Sequence, residues 1–369
     1  MKIRDLEVKV LHVNQRGNWV LLFVHTDSGL TGFGEASQTG NDAFMVEYLR
    51  QITPRIKGLD PRDIIHVCNI INPLGPFRQR FTQAAASAVE MALWDICGKA
   101  AGLPVYRMLG GAVHPSLRLY ANINRGLIEK TPQEYSRMAQ RAVDSGFNAV
   151  KCDPFEGVHR FELGKETSGG DIQLGLERLS AIRSTIGDDV ELMVDAHTRF
   201  NYPMAKMLCA SLESFNLFWL EDPLEIEHTE ATAELRSTFS MPMAGGEVMW
   251  NRHGFRKLLD TDCLDVLMPD VKYCGGIKEL QWISNLADDY GVLISPHGPS
   301  GPVSVAAAVQ AMLGTQNFLI LEYAFGEVDW REELTMGSER IIDGHIPAPE
   351  KPGLGIELDR KMIEKHCKP

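Results

Sequence analysis

The segment ELMVDAHTRF, residues 191–200, carries the pattern that decides the fold. It contains the apolar run LMV (192–194), which is typical of a short strand buried in a parallel sheet. Asp195 ends this strand and His197 follows two residues later. Parallel barrels carry their active groups at the carboxyl ends of the strands, so this pair indicates a functional position.

The same arrangement repeats from about residue 116 onward. Short apolar runs alternate with amphipathic stretches, one of which begins with Thr131-Pro132-Gln133-Glu134, a helix-capping sequence with the Glu placed to close a capping box. Eight strand–helix units over roughly 210 residues predict an α/β fold of the (β/α)₈ type, a TIM-like barrel. The predicted strands are LRLYAN (117–122), NAVKC (148–152), ELMVD (191–195), LFWLE (217–221), MPMAGGE (241–247), LDVLMPD (264–270), GVLISPH (291–297) and FLILEY (318–323).

The residues before the barrel follow a different pattern. VLLFVHTDSGLTGFGEA (20–36) has strand-like residues on both sides of an Asp-Ser-Gly turn, and the alanine-rich segment 84–102 has helical spacing. Strands followed by helices predict an N-terminal α+β capping domain over residues 1–115, with a modified barrel over residues 116–334. We expect the charged tail, about residues 335–369, to pack back on the capping domain.

Composition limits the classes of function. The 369 residues are 44% apolar and 23% charged, which is ordinary for a globular protein. No apolar run approaches the roughly 20 residues that span a bilayer, and the N-terminus has no pattern of a secretory signal. The seven scattered cysteines are typical of reduced thiols in a cytoplasmic protein. A net charge of −12 argues against nucleic acid and anionic membranes as partners.

Ionisable residues stand at the ends of most of the predicted barrel strands. Asp195, Glu221 and Glu247 are each 26 residues apart, one strand–helix unit, so we expect them on adjacent strands at one height. The alternative is a set of solvated charges or salt bridges. Three converging carboxylates repel one another and lose hydration, and a divalent cation relieves both effects. Because oxygen ligands favour Mg²⁺ over zinc, the spacing predicts a site for one Mg²⁺ per subunit.

Several motifs together resemble the enolase superfamily, most closely its mandelate racemase subgroup, and the resemblance covers nearly the whole chain. It implies that the three spaced carboxylates bind Mg²⁺. It also implies that His297, paired with Asp270, is the acid/base catalyst, and that Glu322 stands near the substrate carboxylate. The motifs are GLPVYRMLGG (102–111), VDAH, WLEDP, GGE, PDVKYCGG and SPHG, in the order of the family.

The chemistry of such a site agrees with this resemblance. A proton beside a carboxylate is only weakly acidic, because its removal builds a second negative charge. Mg²⁺ on the carboxylate oxygens would stabilise the enediolate that forms. His297 can act as the base near neutral pH, and Asp270 would fix its tautomer and orientation.

One position departs from the family pattern. Many relatives carry Lys-x-Lys at the end of the second barrel strand, with the second Lys as catalyst, whereas this chain has Lys151-Cys152-Asp153. Residues two apart on a strand share a face, so Lys151 and Asp153 should both point inward, and both are candidate catalytic residues. Asp153 either forms a salt bridge with Lys151, binds a substrate hydroxyl or serves as a weak base. The usual second base of a racemase is absent.

His197 indicates the reaction. It follows Asp195 by two residues, so it should face the same cavity, either as a catalyst or as packing against the metal site. In acid-sugar dehydratases of this subgroup, a His at this place resembles the general acid that protonates the departing 3-hydroxyl. The resemblance therefore predicts a Mg²⁺-dependent lyase acting on an aldonate or aldarate. His297 would take the C2 proton, the product would be a 2-keto-3-deoxy acid, and the two histidines can exchange roles with substrate stereochemistry.

Other side chains are candidate substrate contacts. Lys272 shares a face with Asp270 and either pairs with it or contacts the substrate. The loop of residues 155–170 carries His159 and Arg160 near the predicted barrel mouth, and it either closes over the substrate or stays exposed.

The hairpin of residues 14–19 is the candidate for reading the far end of the substrate. Arg16 would pair with a distal carboxylate and Trp19 would pack on a sugar face, unless this is simply an exposed turn. Two alternative functions are retained: a racemase or epimerase of a 2-hydroxy acid, and a non-catalytic protein that binds a sugar acid. The family usually forms symmetric multimers, so we expect a homo-oligomer.

Overall fold

The computed structural model describes residues 1–37, 40–72, 79–158 and 166–367, with the backbone alone for residues 166–170. Within these residues the chain forms an antiparallel sheet covered by helices, then a parallel barrel, and finally a tail that returns to the first sheet. None of the described helices is long and apolar enough to cross a membrane.

The capping unit is a three-stranded antiparallel sheet with four helices. Thr26 N donates to Leu30 O over 3.0 Å across the predicted Asp-Ser-Gly turn. Helix α3 packs directly on strand β3, because a Cβ at Gly32 or Gly34 would overlap a backbone oxygen of the helix. The elements are β1 (Ile3–Asn14), β2 (Gly17–Thr26), β3 (Thr31–Glu35), α1 (Asp42–Ile56), α2 (Ile64–Ile71), α3 (Arg80–Ala101) and α4 (Val105–Met108).

Eight parallel strands form the barrel, each inside or within one residue of its predicted position. Neighbouring strands pair in the order β10-β9-β8-β7-β6-β5-β4-β11, and the ring closes where Leu319 N donates to Ile294 O over 2.8 Å. The predicted barrel is therefore confirmed. The strands are β4 (Ser116–Asn122), β5 (Ala149–Cys152), β6 (Glu191–Asp195), β7 (Trp219–Glu221), β8 (Met243–Gly245), β9 (Val266–Leu267), β10 (Leu293–Ile294) and β11 (Leu321–Ala324); β12 (His345–Pro347) pairs with β4 from outside.

Further helices follow the barrel strands, and local sequence sets where they begin. Thr131 caps α5 as predicted, because its Oγ1 accepts from Glu134 N over 3.2 Å. The Glu134 side chain binds Arg137 instead of closing the predicted capping box. The helices are α5 (Pro132–Asp144), α6 (Glu166–Ile186), α7 (Tyr202–Leu212), α8 (Thr229–Thr238), α9 (Asn251–Asp260), α10 (Val271–Cys274), α11 (Ile277–Asp289), α12 (Pro302–Met312), α13 (Arg331–Leu334) and α14 (Arg360–His366).

The barrel interior separates into an apolar layer and a polar layer, because side chains on one face of a strand recur every two residues. The apolar layer contains Tyr120, Ala149, Met193, Trp219, Ala244, Val266, Met268 and Ile320. Two residues further along six of these strand segments lie Asn122, Lys151, Asp195, Glu221, Asp270 and Glu322, all buried. The fold thus collects polar groups at the carboxyl end of the barrel.

Three buried carboxylates connect the capping unit to the rest of the chain. Glu35 accepts two backbone hydrogen bonds of 2.9 Å from the start of α12. Glu90 accepts two, of 2.8 and 3.0 Å, from the first turn of α11. Asp95 accepts from Leu354 N in the tail over 2.8 Å. The first two acids satisfy amide groups that a helix leaves without intrahelical partners.

The last helix lies against the first strand. Arg360 Nη1 is 3.1 Å from Glu7, Lys9 Nζ is 2.8 Å from Glu364, and Ile363 between them is fully buried. The two chain ends therefore meet on the capping unit. The exact domain limits proposed from the sequence stay predictions.

Candidate active site

Three acidic side chains converge at the carboxyl end of the barrel. Asp195 ends β6, Glu221 ends β7, and Glu247 follows β8 by two residues. One oxygen from each carboxylate lies within 4.8 Å of the other two. Asp195 and Glu221 are also direct partners in the parallel register. The convergence predicted from the 26-residue spacing is confirmed.

Burial makes this cluster electrostatically costly. Burial raises the pKa of Asp195, although His197 and Lys151 lower it. Burial first, and the neighbouring Asp195 second, raise the pKa of Glu221 well above its usual value. Lys151 Nζ lies 2.8 and 2.9 Å from the two oxygens of Glu221 and 2.7 Å from Glu322. Burial alone would lower the pKa of Lys151, but Glu221 and Glu322 raise it well above the usual value. The ammonium is thus held in its charged form.

The donor set fits a divalent cation. Four described carboxylates cluster here, and three of them lie within 4.0 Å of the ammonium of Lys151, so the carboxylates outnumber this ammonium. Glu247 Oε2 is buried without a hydrogen-bond partner; His297 Nε2 is 2.9 Å away, but not in hydrogen-bond geometry. An oxygen-only site with this charge matches the ligand preference of Mg²⁺. The four carboxylates are Asp195, Glu221, Glu247 and Glu322.

His297 is held beside this cluster by Asp270. Its Nδ1 lies 2.7 Å from Asp270 Oδ2, which leaves Nε2 directed towards the carboxylates. Lys272 Nζ donates to the same Asp270 oxygen over 2.6 Å and also contacts Ser300. Burial would lower the pKa of His297, but Glu247 and Glu322 raise it well above its usual value. Asp270 therefore pairs with His297 as predicted, and of the two alternatives for Lys272 the ion pair with Asp270 is present.

His197 approaches the same site from another direction. It follows β6, and β6 lies four strands from β10 in the ring of eight, so His197 and His297 follow diametrically opposite strands. His197 Nδ1 is 3.1 Å from Asp153 and 3.2 Å from Asp195. Burial would lower the pKa of His197, but these two carboxylates raise it to about 10.

Asp153 is buried beside His197, but it does not pair with Lys151. Arg199 binds it with two hydrogen bonds, Nη1 to Oδ1 at 2.7 Å and Nη2 to Oδ2 at 2.8 Å. The alternative of a Lys151–Asp153 salt bridge is therefore wrong. Lys151 is engaged by Glu221 and Glu322, while the bidentate geometry of Arg199 suits a carboxylate better than a single ammonium does.

Glu322 is fully buried with both oxygens in use. Oε1 accepts from Asn122 Nδ2 over 2.7 Å and from Lys151, and Oε2 accepts from Gly298 N over 2.8 Å. Burial would raise its pKa, but Lys151 and His297 lower it. Glu322 therefore holds Lys151 in place at the base of the site.

A cavity of about 180 Å³ opens over these groups. Arg80 in its wall stacks 4.0 Å over the ring of Tyr273, and none of the described carboxylates pairs with it. We call the residues from the capping unit the cap wall: Gly17, Asn18, Trp19, Ser37 and Arg80. The barrel wall consists of Arg125, His197, Glu247, Lys272, Tyr273, His297, Pro299 and Ser300.

Of the remaining predicted substrate contacts, one lines the cavity and one does not. Trp19 is buried and belongs to the cap wall, so the alternative of an exposed turn is wrong for this residue. Arg16 forms a salt bridge of 3.1 Å with Glu156 and lines an adjoining groove instead of the cavity. His159 and Arg160 lie outside the described residues.

Several residues of the site were not predicted from the sequence. Arg199 stands in the segment quoted at the outset, four residues after Asp195, and could have been singled out as a partner for an inward carboxylate. Asp222 follows Glu221 and fills the space beside Gly245, where a Cβ would overlap its Oδ1. Arg80 had no local signal. Asn122 and Arg125 were missed as well.

Comparisons with known proteins agree with this arrangement. The family model described as Mandelate racemase / muconate lactonizing enzyme, N-terminal domain, matches residues 5–110. The model described as Enolase C-terminal domain-like matches residues 134–362. The D-xylonate dehydratase of Haloferax volcanii is 30% identical over 374 residues, covering 99% of this chain and 90% of that protein. The D-galactonate dehydratase of Ralstonia pickettii is 30% identical over 357 residues, covering 95% and 91%.

Solved structures give the same result. The mandelate racemase/muconate lactonizing enzyme from a Jannaschia species has a TM-score of 0.90 to this chain at 29% identity, covering 100% of this chain and 98% of that one. A member of the enolase superfamily from Salmonella Typhimurium has a TM-score of 0.89 at 26% identity, with coverage of 100% and 98%. The two family models together span most of the sequence. The chain therefore belongs to the enolase superfamily, in its mandelate racemase/muconate lactonizing enzyme group.

Proposed function

We propose that the chain is a Mg²⁺-dependent dehydratase of an acid sugar, an aldonate or an aldarate. One observation carries this proposal: two histidines face the acidic triad from opposite sides of the barrel, whereas the position of the second Lys in many relatives is held by Asp153. Relatives that act on D-xylonate and D-galactonate by name support the same class of reaction.

The metal would be held by Asp195, Glu221 and Glu247. When bound, Mg²⁺ stabilises the negative charge that develops on the substrate carboxylate as the neighbouring proton is removed. Lys151 adds a fixed positive charge beside Glu221, where Glu322 holds it; Asn122 in turn donates to Glu322. These groups orient the carboxylate end of the substrate.

The two histidines would move the protons. His297 takes the C2 proton at Nε2, because its Nδ1 is held by Asp270. His197 gives a proton to the 3-hydroxyl, the C3–O bond breaks, and the hydroxyl leaves as water. The enol that results tautomerises, losing the proton of its C2 hydroxyl and gaining one at C3, to give the 2-keto-3-deoxy acid.

Asp153 is what separates this proposal from a racemase. Racemisation needs a base on each face of the planar intermediate. Asp153 stands at the position of the second base, but Arg199 occupies both of its oxygens. Burial would raise the pKa of Asp153, but His197 first and Arg199 second lower it. A carboxylate so stabilised is a poor base, which favours elimination over racemisation.

The test is a screen of aldonates and aldarates with Mg²⁺, in which semicarbazide detects a 2-keto acid. We expect one or a few acids to react, and we expect His297→Asn to abolish the reaction while the exposed His253→Asn does not. Deuterium uptake at C2 in D₂O with inversion and no water loss would instead show a racemase or epimerase. Binding without turnover would show a sugar-acid-binding protein.

Two further expectations accompany this function. We expect a homo-oligomer, which light scattering would detect, and a cytoplasmic location, in keeping with the reduced cysteines; all seven are free in the structure. We expect the binding partner of the chain to be its substrate, a small-molecule acid sugar.

A further inference from the structure

The imidazole of His197 is held by a carboxylate that is itself fixed by an arginine. His197 Nδ1 lies 3.1 Å from Asp153 Oδ2, and Arg199 binds both oxygens of Asp153. The backbone of Asp153 is fixed as well: its N–H donates to Asn124 Oδ1 over 2.7 Å, and Tyr135 Oη donates to its C=O over 2.5 Å. Both the side chain and the backbone of Asp153 are therefore held by hydrogen bonds.

The second histidine of the site has a similar arrangement, with a hydrogen bond to its aspartate where His197 and Asp153 form a close ion pair. His297 Nδ1 binds Asp270 Oδ2, and Lys272 donates to that same oxygen. In each case a buried aspartate lies between an imidazole and a cation. In each case Nδ1 is engaged, and Nε2, on the other edge of the ring, is left for the cavity. The side chain of His197 keeps 39% of its surface exposed there.

The backbone turn that delivers His197 is unusual. His197 and Thr198 have φ angles of 46° and 55°, a region that residues other than glycine seldom adopt. His197 N also donates to Asp195 Oδ1 over 2.8 Å. Such a turn persists only where surrounding contacts enforce it, and here they include this hydrogen bond and that of Thr198 N to Asp222 O over 2.9 Å.

Asp195 cannot replace Asp153 as the partner of this ring. Its Oδ1 is 3.2 Å from His197 Nδ1, but Asp195 belongs to the triad that would hold the metal. Once its charge is shared with a cation, Asp195 is a weaker acceptor. Asp153 lies outside the triad, so a bound cation would leave its contact with His197 in place.

We propose that Arg199 and Asp153 are positioning residues that fix the ring of His197, so that Nε2 delivers the proton to the leaving hydroxyl. This rests on the proposed dehydration. The Arg199–Asp153 pair takes over the strand position that holds the second Lys in many relatives. The chain thereby builds its second proton-transferring group from three side chains instead of one.

The first test needs no substrate or metal. In protein labelled with ¹⁵N-histidine, the Nδ1 signal of His197 is assigned by its loss in His197→Asn. We expect that signal to move in Asp153→Asn and in Arg199→Met, and to stay in Arg236→Met, which removes an arginine that pairs with Asp265 far from the site. An Nδ1 signal unchanged in Asp153→Asn would overturn the proposal.

The second test uses the acid sugar found in the screen. Losing a group that orients a reacting side chain costs about 10–100-fold in activity, so we expect Arg199→Met to lower kcat by about that factor with KM nearly unchanged. Arg199→Lys should recover part of the loss, and Mg²⁺ affinity measured by calorimetry should stay within about 3-fold of the parent. Loss of Mg²⁺ binding in a folded Arg199→Lys, or a kcat equal to that of Arg236→Met, would contradict the assignment.

The two tests separate this proposal from the proposed function. If no acid sugar is dehydrated, the proposed function fails, while the NMR result still decides whether Asp153 and Arg199 hold His197. If dehydration occurs but neither test responds, only the positioning role fails. Near-UV circular dichroism of each variant shows whether the fold is retained. If Arg199→Met does not fold, Asp153→Asn still tests the proposal, because asparagine is nearly the same size as aspartate.

Discussion

The charge around His297 determines the pH at which it can accept a proton. Its Nε2 lies 2.9 Å from Glu247 and 4.0 Å from Glu322, and its Nδ1 is bound to Asp270. Burial favours the neutral ring, but these carboxylates outweigh it and raise the pKa of His297 well above the usual value. A cation on Glu247 would remove part of that effect, so the metal also prepares the base.

The dependence of activity on pH follows from these shifts. The base His297 must be neutral, so kcat/KM should rise with pH through its pKa. The acid His197 must be charged, so activity should fall at high pH as the pH passes the pKa of His197, which Asp195 and Asp153 raise. In Glu322→Gln one negative charge near His297 is lost, and we expect the rising limb to move down by about 1 pH unit.

The measurement is a profile of kcat/KM from roughly pH 5 to pH 10 at saturating Mg²⁺. The exposed His253→Asn serves as the control and should leave both limbs in place. A rising limb that moves upward in Glu322→Gln would mean that this carboxylate does not act on His297.

Arg80 offers a second prediction for a single residue. Its guanidinium stacks on Tyr273 in the cap wall, and no described carboxylate neutralises it. Arg16, which the sequence suggested for the far end of the substrate, is already bound to Glu156. A hydrogen bond from a charged donor is worth about 1.5–3 kcal/mol, so we expect Arg80→Met to raise KM by about 10-fold or more, with kcat less affected.

Arg16→Met is the matched control, because it removes the same type of side chain from the neighbouring groove. Its KM should change by less than about 3-fold, since a partly exposed salt bridge contributes little. Steady-state kinetics with the acid sugar decide the question. A larger KM effect for Arg16→Met than for Arg80→Met would restore the original assignment.

At the scale of whole elements, buried acids of the capping unit hold the ends of barrel helices. Glu90 on α3 receives the backbone N–H groups of Ile277 and Lys278 at the start of α11, and Trp94 Nε1 donates to it over 2.8 Å. Burial nevertheless raises the pKa of Glu90 to about 7. The contact between two elements is therefore sensitive to pH.

The sign of this effect can be worked out. Because the folded protein holds the Glu90 proton more tightly than the unfolded chain, the free energy of unfolding falls as pH rises from about 4.5 to about 7. We expect Glu90→Gln to remove this loss, which is on the order of 3 kcal/mol. Urea unfolding of the parent, Glu90→Gln and the exposed control Glu129→Gln, at several pH values, measures it. Parallel pH curves for all three proteins would contradict it.

The elements themselves could be predicted from the sequence far better than these contacts. The barrel strands are short apolar runs, and β6 was placed at its observed bounds. The triad followed, because its three carboxylates sit one repeating unit apart. Glu90 and its partners at α11 are 187 and 188 residues apart, so no local pattern joins them. Arg199 was missed as the partner of Asp153 for the same reason, because the two residues are 46 positions apart; of the alternatives left open for Asp153, the salt bridge with Lys151 is wrong.

At the scale of the whole molecule, the chain closes on itself. Helix α14 lies on β1, where Ile363 is buried between the Arg360–Glu7 and Lys9–Glu364 ion pairs. This contact joins the last described helix to the strand that begins the capping unit. The cavity above the barrel depends on the capping unit, because the residues of the cap wall form one of its sides.

Removing the apolar part of this closure should destabilise the molecule. Truncating a buried Ile to Ala costs about 2–5 kcal/mol, so we expect Ile363→Ala to lower the free energy of unfolding by that amount. Lys365→Ala, exposed on the same helix, should cost less than about 0.5 kcal/mol. Urea denaturation followed by circular dichroism measures both. Equal stability of the two variants would mean that α14 adds little to the closed molecule.

Glu35 and Glu90 accept hydrogen bonds from the backbone N–H groups that begin α12 and α11, and we call these two groups of N–H donors the amide sockets. They have a consequence for engineering by recombination. A chimera that grafts the capping unit of another superfamily member onto this barrel must bring a carboxylate to each socket, or α11 and α12 begin with unmet donors. If the capping unit comes from a protein without those two acids, we expect it to pack poorly on the barrel, although the catalytic residues of the barrel are unchanged. If both acids are kept, we expect that the capping unit, which would select the sugar, can be exchanged without changing the barrel residues that break its bonds.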